Sequence, residues 1–173
     1  MCDFKNFSDF EKMYEEYFPK IYNYIFFRLL NKEQTEDLVS EIFLKVTQKI
    51  FSFDASKASF NTWIFVIAKN TLTDYFRRQK KCVSLDDSTN SVLITVDFEE
   101  QYKEIVNEDR KILYKALSQL DDRTRQVLYL KYFGELNNRE ISKVTGINES
   151  TVSTIFVRGK KKMKELLIGM EVS

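Results

Sequence analysis

The sequence predicts an all-α protein of two small helical domains joined by a linker, and three observations carry that prediction. Four Gly and one Pro in 173 residues leave few turn-forming positions and argue against Gly-rich sheet architectures. Apolar residues, 43% of the chain, recur at three- and four-residue steps along most of its length. Between Ser84 and Asp109 this pattern gives way to eight acids against one base, Lys103, a local charge of −7. The expected organisation is a domain over residues 1–82, an acidic linker over 83–107, already helical in part from about 98, and a second domain over 108–173.

Taken in order, Ser8 with Glu11 three residues on reads as a capping box, followed by Phe10, Met13, Tyr14 and Tyr17 at helical spacing. Because proline restricts the residue before it, a bend is expected near Phe18–Pro19, with a second stretch carrying Ile21, Tyr24, Ile25 and Arg28. Asn31 with Gln34 caps a helix whose stripe is Leu38, Ile42, Phe43, Val46 and Ile50, with Glu36, Asp37 and Glu41 off it. Small polar residues over 52–59 mark a loop, and the steps from Phe60 through Trp63, Ile64, Ile67 and Leu72 to Phe76 predict a helix to about Gln79. Past the linker, Ile112, Leu113, Ala116, Leu117 and Leu120 form a face, and Asp121 or Asp122 caps a helix containing Val127, Leu128, Leu130 and Tyr132. Phe133–Gly134 ends it, with glycine taking the left-handed conformation.

Composition narrows the chemistry. Lys+Arg at 27 against Asp+Glu at 26 favours no class of partner in bulk, so the distribution of charge decides. There is no His, and Cys2 and Cys82 lack metal-ligand spacing, which removes zinc sites and His-based catalysis, so no cofactor is expected. A Cys82 nucleophile has no oriented base to support it. Neither a secretory leader nor an 18-residue apolar run is read, so the expected location is the cytoplasm, with no membrane insertion and no small-molecule substrate.

Two basic clusters stand out. Lys69, Arg77, Arg78, Lys80 and Lys81 oppose only Asp74 at the end of the Trp63 helix, and with the neighbouring aromatics they suit a surface that tracks phosphates and stacks unpaired bases. Phe60 and Trp63 share a stripe with Ile64 and Ile67, which reads as core. The second cluster, Arg158, Lys160, Lys161, Lys162 and Lys164, follows a helix-turn-helix pattern. There Ile141 and Val144 lie on a short helix and Gly146 forms the turn; Ile147 plugs the angle, and Val152, Ile155 and Phe156 anchor the next helix. That helix, opened by Asn148 or Glu149, exposes Ser150, Thr151, Ser153 and Thr154 to a major groove and its N–H groups to phosphates. A structural helical hairpin with a solvated basic end is the plainer alternative.

DLVSEIFLKV (37–46) followed by FNTWIFVIAKNTLTDYFRR (60–78) resembles region 2 of the sigma-70 family, and residues 120–163 resemble its region 4. Order and spacing match the two-domain extracytoplasmic-function (ECF) group. The resemblance implies a transcription initiation factor, not itself a catalyst, that binds bacterial core RNA polymerase, recognises the −10 and −35 promoter elements and promotes DNA opening, with an anti-sigma factor as a further partner. Carried over by position, Asp37, Leu38, Glu41, Ile42 and Phe43 bind core polymerase. Phe53, Asp54, Ser56, Lys57, Ser59, Asn61, Lys69, Asn70, Arg77 and Arg78 bind the −10 element, the 53–59 loop capturing a flipped base. Arg139, Asn148, Ser150, Thr151, Ser153, Thr154, Arg158, Lys160 and Lys161 bind the −35 element. The sequence departs from the family pattern at Asn61, Thr47, Asp121, Ser142 and Gly159. Its recognition helix lacks Arg or Lys at 153–155, so hydroxyls and DNA shape would carry readout. A stand-alone helix-turn-helix regulator with an N-terminal ligand or dimerisation domain is the alternative; it has no need of the 37–46 and 60–78 pair.

Overall fold

A computed structural model describes residues 7–29, 31–83 and 108–171. Among these are seven α-helices and no strand: α1 (Phe7–Leu29), α2 (Lys32–Lys49), α3 (Phe60–Val83), α4 (Glu108–Ser118), α5 (Asp122–Tyr132), α6 (Asn138–Thr145) and α7 (Glu149–Glu171). They form two compact units, one from α1 to α3 and one from α4 to α7. The expected acidic linker, from residue 84 to 107, lies outside the described residues.

In the first unit α2 packs on both α1 and α3, and these two also touch. The stripe read from the sequence is the buried one: Leu38, Ile42, Phe43 and Val46 of α2 meet Ile21, Tyr24 and Ile25 of α1 and Ile64, Phe65, Ala68 and Leu72 of α3 within one core. Asn31 caps α2 as expected, its Oδ1 accepting from the Gln34 N–H at 2.9 Å. The expected bend at Phe18–Pro19 does not divide α1, which is one helix through Pro19. Proline removes the hydrogen bond to the carbonyl of Glu15, and both residues are on the exposed side, where that carbonyl is open to solvent. The helix begins at Phe7, one residue before Ser8, and the side chain of Ser8 expected to cap it lies outside the described residues. A short 3-10 turn, Ile50–Ser52, precedes the 53–59 loop, and α3 runs to Val83, four residues past the expected end.

In the second unit the long α7 packs against α4, α5 and α6. The half-buried Arg125 sews α4 to α5: Nε donates to the Leu117 carbonyl at 3.0 Å and Nη2 to the Leu120 carbonyl at 2.8 Å, placing a cation at the C-terminal end of α4. Asp121 caps α5 by accepting from the Thr124 N–H at 3.0 Å. Asn137 and Glu140 form a reciprocal capping box on α6. The chain does end α5 at Phe133–Gly134, but the positive φ belongs to Glu135, at 56°. Gly134 is needed for room, since a Cβ there would sit 2.7 Å from the Leu130 carbonyl oxygen, the acceptor for the Leu136 N–H. Gly146 does adopt the left-handed conformation, φ 76°, at the end of α6.

Gly159 is buried where α7 crosses α5, and an added Cβ would lie 2.6 Å from Thr124 Cγ2. The close approach predicts a coupled pair of effects. Gly159→Ala gains about 1 kcal/mol of helix propensity but strains the crossing by about 1–3 kcal/mol. It should therefore lower stability in the natural background and raise it once Thr124→Ser removes the methyl. Denaturation followed by circular dichroism checks this; equal effects in both backgrounds would contradict the packing.

Candidate nucleic-acid interface

Burial orients α2. Leu38, Ile42 and Phe43 are 2%, 0% and 5% exposed, so of the five residues assigned to polymerase docking these three are core and only Asp37 and Glu41 reach the surface. Leu44, which the sequence reading passed over, is 59% exposed on the same helix. Glu41 is not simply outward. Its Oε1 accepts from Lys45 Nζ at 2.6 Å and its Oε2 from Arg78 Nη2 at 3.2 Å, while Lys45 also donates to Thr71 Oγ1 at 3.2 Å. A second clasp lies nearby: Tyr75 Oη donates to Gln34 Oε1 at 2.8 Å and accepts from Gln79 Nε2 at 2.6 Å. The hydrogen bond from Lys45, with that from Arg78, holds the Glu41 carboxyl below its ordinary range despite partial burial. Burial, with the charge of Asp37, raises the Tyr75 hydroxyl.

The 53–59 loop is organised before any ligand arrives. Asp54 Oδ1 accepts from the Ser56 N–H at 3.0 Å and from Ser56 Oγ at 2.6 Å, and Oδ2 pairs with Lys57 at 3.2 Å; the Ser56 bonds lead in holding this carboxyl below its ordinary range. Two assignments change in kind. The Ser59 side chain caps α3, with its Oγ accepting from the Thr62 N–H at 3.2 Å. Phe53 is half-buried, packed at 5.3 Å on Phe60 and 5.4 Å on Trp63, which makes it the hydrophobic anchor of the loop. The exposed aromatic of this region is instead Phe51, 90% exposed in the 3-10 turn. No periodic pattern marks it, because a three-residue turn has no stripe of its own.

On α3, Asn70 and Arg77 are exposed and seven residues apart, which puts them on one face; Lys69 and Asn61 are half-buried. Arg77 and Arg78, adjacent in sequence, diverge: Arg77 pairs with Asp74 at 2.9 Å and Arg78 with Glu41 of α2. Both keep most of their side chains in solvent.

In the second unit Val152 is fully buried and Ile155 half-buried, which fixes the rotation of α7. Ser150, Thr151, Ser153 and Thr154 are all exposed, as are Arg139, Asn148, Arg158, Lys160 and Lys161. Asn148 Oδ1 accepts from the Ser150 N–H at 3.0 Å and from Ser150 Oγ at 2.9 Å, at the opening of the helix. Beside it, Tyr132 of α5 is 54% exposed and meets the Phe156 ring at 5.6 Å, with Lys131 over that ring at 5.7 Å. Among the described residues no group of three or more Cys, Asp and Glu is placed to hold a metal, and no helix is long and apolar enough to cross a membrane.

A helix-turn-helix unit with a polar exposed face, following a three-helix unit whose third helix ends in basic residues, defines the fold of a DNA-binding protein. Comparison with known proteins gives the family. Residues 13–82 match the model for sigma-70 region 2, and residues 110–163 match that for sigma-70 region 4. RNA polymerase sigma factor YlaC of Bacillus subtilis is 31% identical over 163 residues, covering 93% of this chain and 93% of YlaC. The ECF RNA polymerase sigma factor SigM of the same organism is 29% identical over 156 residues, covering 90% and 93%. The solved structure of the sigma factor RpoE from Bartonella quintana, in complex with the anti-sigma factor NepR, superposes with a TM-score of 0.72 at 20% identity over 92% of this chain and 97% of that one. CnrH, solved with the cytosolic domain of CnrY, gives 0.63 at 17% identity, covering 95% and 91%. The chain belongs to the sigma-70 family, and it is an RNA polymerase sigma factor with ECF members among its relatives. The region 2 match takes up the N-terminal unit, so the stand-alone regulator is not favoured.

The Glu41 clasp predicts an acid-sensitive contribution to the first unit. Its native carboxyl is held below the ordinary 4.5, so the contribution is present above that value and fades as the pH falls through the native one. Discounted for solvent screening, Glu41→Gln should cost about 0.5 kcal/mol near neutrality. The gap between the natural chain and the variant should close at acid pH. Denaturant titrations followed through Trp63 fluorescence measure it; a gap that widens on acidification would contradict the sign.

Proposed function

We propose that the first unit docks on bacterial core RNA polymerase and holds the unpaired −10 element, while the second reads the −35 element, the chain serving as an initiation subunit and leaving catalysis to the polymerase. The observation that carries this is the division of charge within the first unit, the acids Glu33, Glu36, Asp37 and Glu41 along α2 against the basic end of α3, with Leu38, Ile42, Phe43 and Val46 of α2 and Ile64, Ala68 and Leu72 of α3 buried in a shared core. On α2 the contacts offered to a partner are Asp37 and Glu41, with Leu44 as an apolar neighbour, and they suit a basic protein surface. Leu38, Ile42 and Phe43 contribute by fixing the helix.

On α3 and its loop, a base extruded from the −10 strand is received beside Asp54, Ser56 and Lys57, with Asn70 offering its amide to a base edge and Lys69, Arg77 and Arg78 to phosphates. Phe53 and Ser59 hold the loop in shape. Phe51 adds an exposed ring on which an unstacked base can rest. Captured bases offset the few kcal/mol each that unpairing costs, so opening needs no nucleotide. In the second unit Arg139, Arg158, Lys160 and Lys161 take phosphates around a recognition helix led by Asn148, Ser150, Thr151, Ser153 and Thr154. The solved relative bound to the anti-sigma factor NepR supports an anti-sigma partner here also, and the cytoplasm is the place where these partners meet.

Co-elution of the full chain with core polymerase tests the first half of this reading, and Asp37→Lys should weaken it. For the second, replacing Arg77 and Arg78 with Ala should slow open-complex formation and reduce the slope of its log rate against log salt by about 1 to 2. A slope identical to that of the natural chain would remove both arginines from the phosphate-binding set.

A further inference from the structure

The recognition helix carries hydroxyls where a long cationic side chain would reach guanine, and those hydroxyls are not equivalent. Ser150 Oγ lies 2.9 Å from Asn148 Oδ1, and Thr154 Oγ1 lies 3.0 Å from the Ser150 carbonyl oxygen. The identity of Asn148 Oδ1 is fixed by the Ser150 backbone N–H, which also points to it at 3.0 Å and can bond only to an oxygen. Neither a carboxamide oxygen nor a peptide carbonyl can donate. In both contacts the hydroxyl therefore spends its single proton inside the protein, and only lone pairs remain for an outside group. Thr151 and Ser153, also exposed, have no such bond and keep both functions.

Resting on the reading of α7 as the −35 recognition helix, we infer that Ser150 and Thr154 discriminate amino bases from keto bases in the −35 element. An acceptor-only hydroxyl matches the exocyclic amino group that adenine (N6) or cytosine (N4) presents in the major groove. It opposes the O6 of guanine or the O4 of thymine, where acceptor would face acceptor. Every base pair carries one amino and one keto edge, so the two hydroxyls read which strand holds the amino base and tolerate A and C alike. Four residues of helix rise about 6 Å, against about 3.4 Å per base-pair step, so the two hydroxyls meet different base pairs. Asn148 complements them, because its committed Oδ1 leaves the Nδ2 amino group to donate.

The test uses the full chain assembled with core polymerase on a promoter library randomised across both elements, with transcripts sequenced. The natural chain should prefer A and C over G and T on one strand at two −35 positions, by roughly fivefold to tenfold, the scale of one hydrogen bond. Thr154→Val, which keeps the branched shape and removes the acceptor, should flatten one of these positions to within about twofold, and Thr154→Ser should retain it. Ser150→Ala should flatten the other, with the −10 preference unchanged in all three. A −35 profile that Thr154→Val leaves unaltered, or a responding position that prefers G or T, overturns the inference while leaving the promoter-reading function intact. A library that returns no pair of spaced motifs overturns that function itself, and the inference with it.

Discussion

The apolar stripe of α2 is the constraint on which the first unit rests. Leu38, Ile42, Phe43 and Val46 are buried between α1 and α3, so α2 has no freedom to rotate, and its acids must face away from the core. The same burial sets α3, whose Ile64, Ala68 and Leu72 close the seam and whose exposed positions then fall at Asn70 and Arg77. Each of the buried Leu, Ile, Val and Phe side chains among them contributes about 1.5–3 kcal/mol, more than the Glu41–Arg78 or Glu41–Lys45 pairs, whose solvent-screened geometry limits them to about 1 kcal/mol or less. Packing therefore holds the polar faces of α2 and α3 apart, and the ion pairs adjust the seam between them.

In the second unit α7 meets two demands at once. Its buried side, Val152 and Gly159, must come close enough to α5 for the helices to share a core, and its exposed side must stay polar along the first turns. The left-handed Gly146 sets the turn, and Val152 fixes the rotation that delivers Ser150, Thr151, Ser153 and Thr154 to solvent together. Arg125, holding the end of α4, keeps that scaffold in register through its bonds to the Leu117 and Leu120 carbonyls.

Long amphipathic helices were legible in the sequence because burial imposes a period, and the stripes of α2 and α3 and the helix-turn-helix anchors all lie where their spacing puts them. Single residues whose role depends on local geometry were not. Pro19 reads as a break but sits on a solvent-facing stretch that tolerates the missing bond, and Gly134 reads as a left-handed cap but is required by a neighbouring carbonyl. For Phe53 and Ser59, which the family resemblance names for −10 binding, the structure adds what spacing does not show: one anchors the loop and the other caps the following helix. Arg77 and Arg78, adjacent in sequence, are separated by about 100° around the helix, which sends one towards Asp74 and the other towards α2. Leu44 and Phe51 were missed because an exposed apolar residue has no signature in periodicity.

Under the proposed function, this chain lets core RNA polymerase unpair promoter DNA by capturing bases, without nucleotide hydrolysis. Permanganate reactivity of thymines in a selected promoter, measured with purified chain and core polymerase and no nucleotide present, tests it most directly. The account predicts a contiguous set of reactive thymines across the −10 element that appears only when both proteins are present. Duplex binding by the chain with no reactive thymines, or opening that requires a hydrolysable nucleotide, would contradict it.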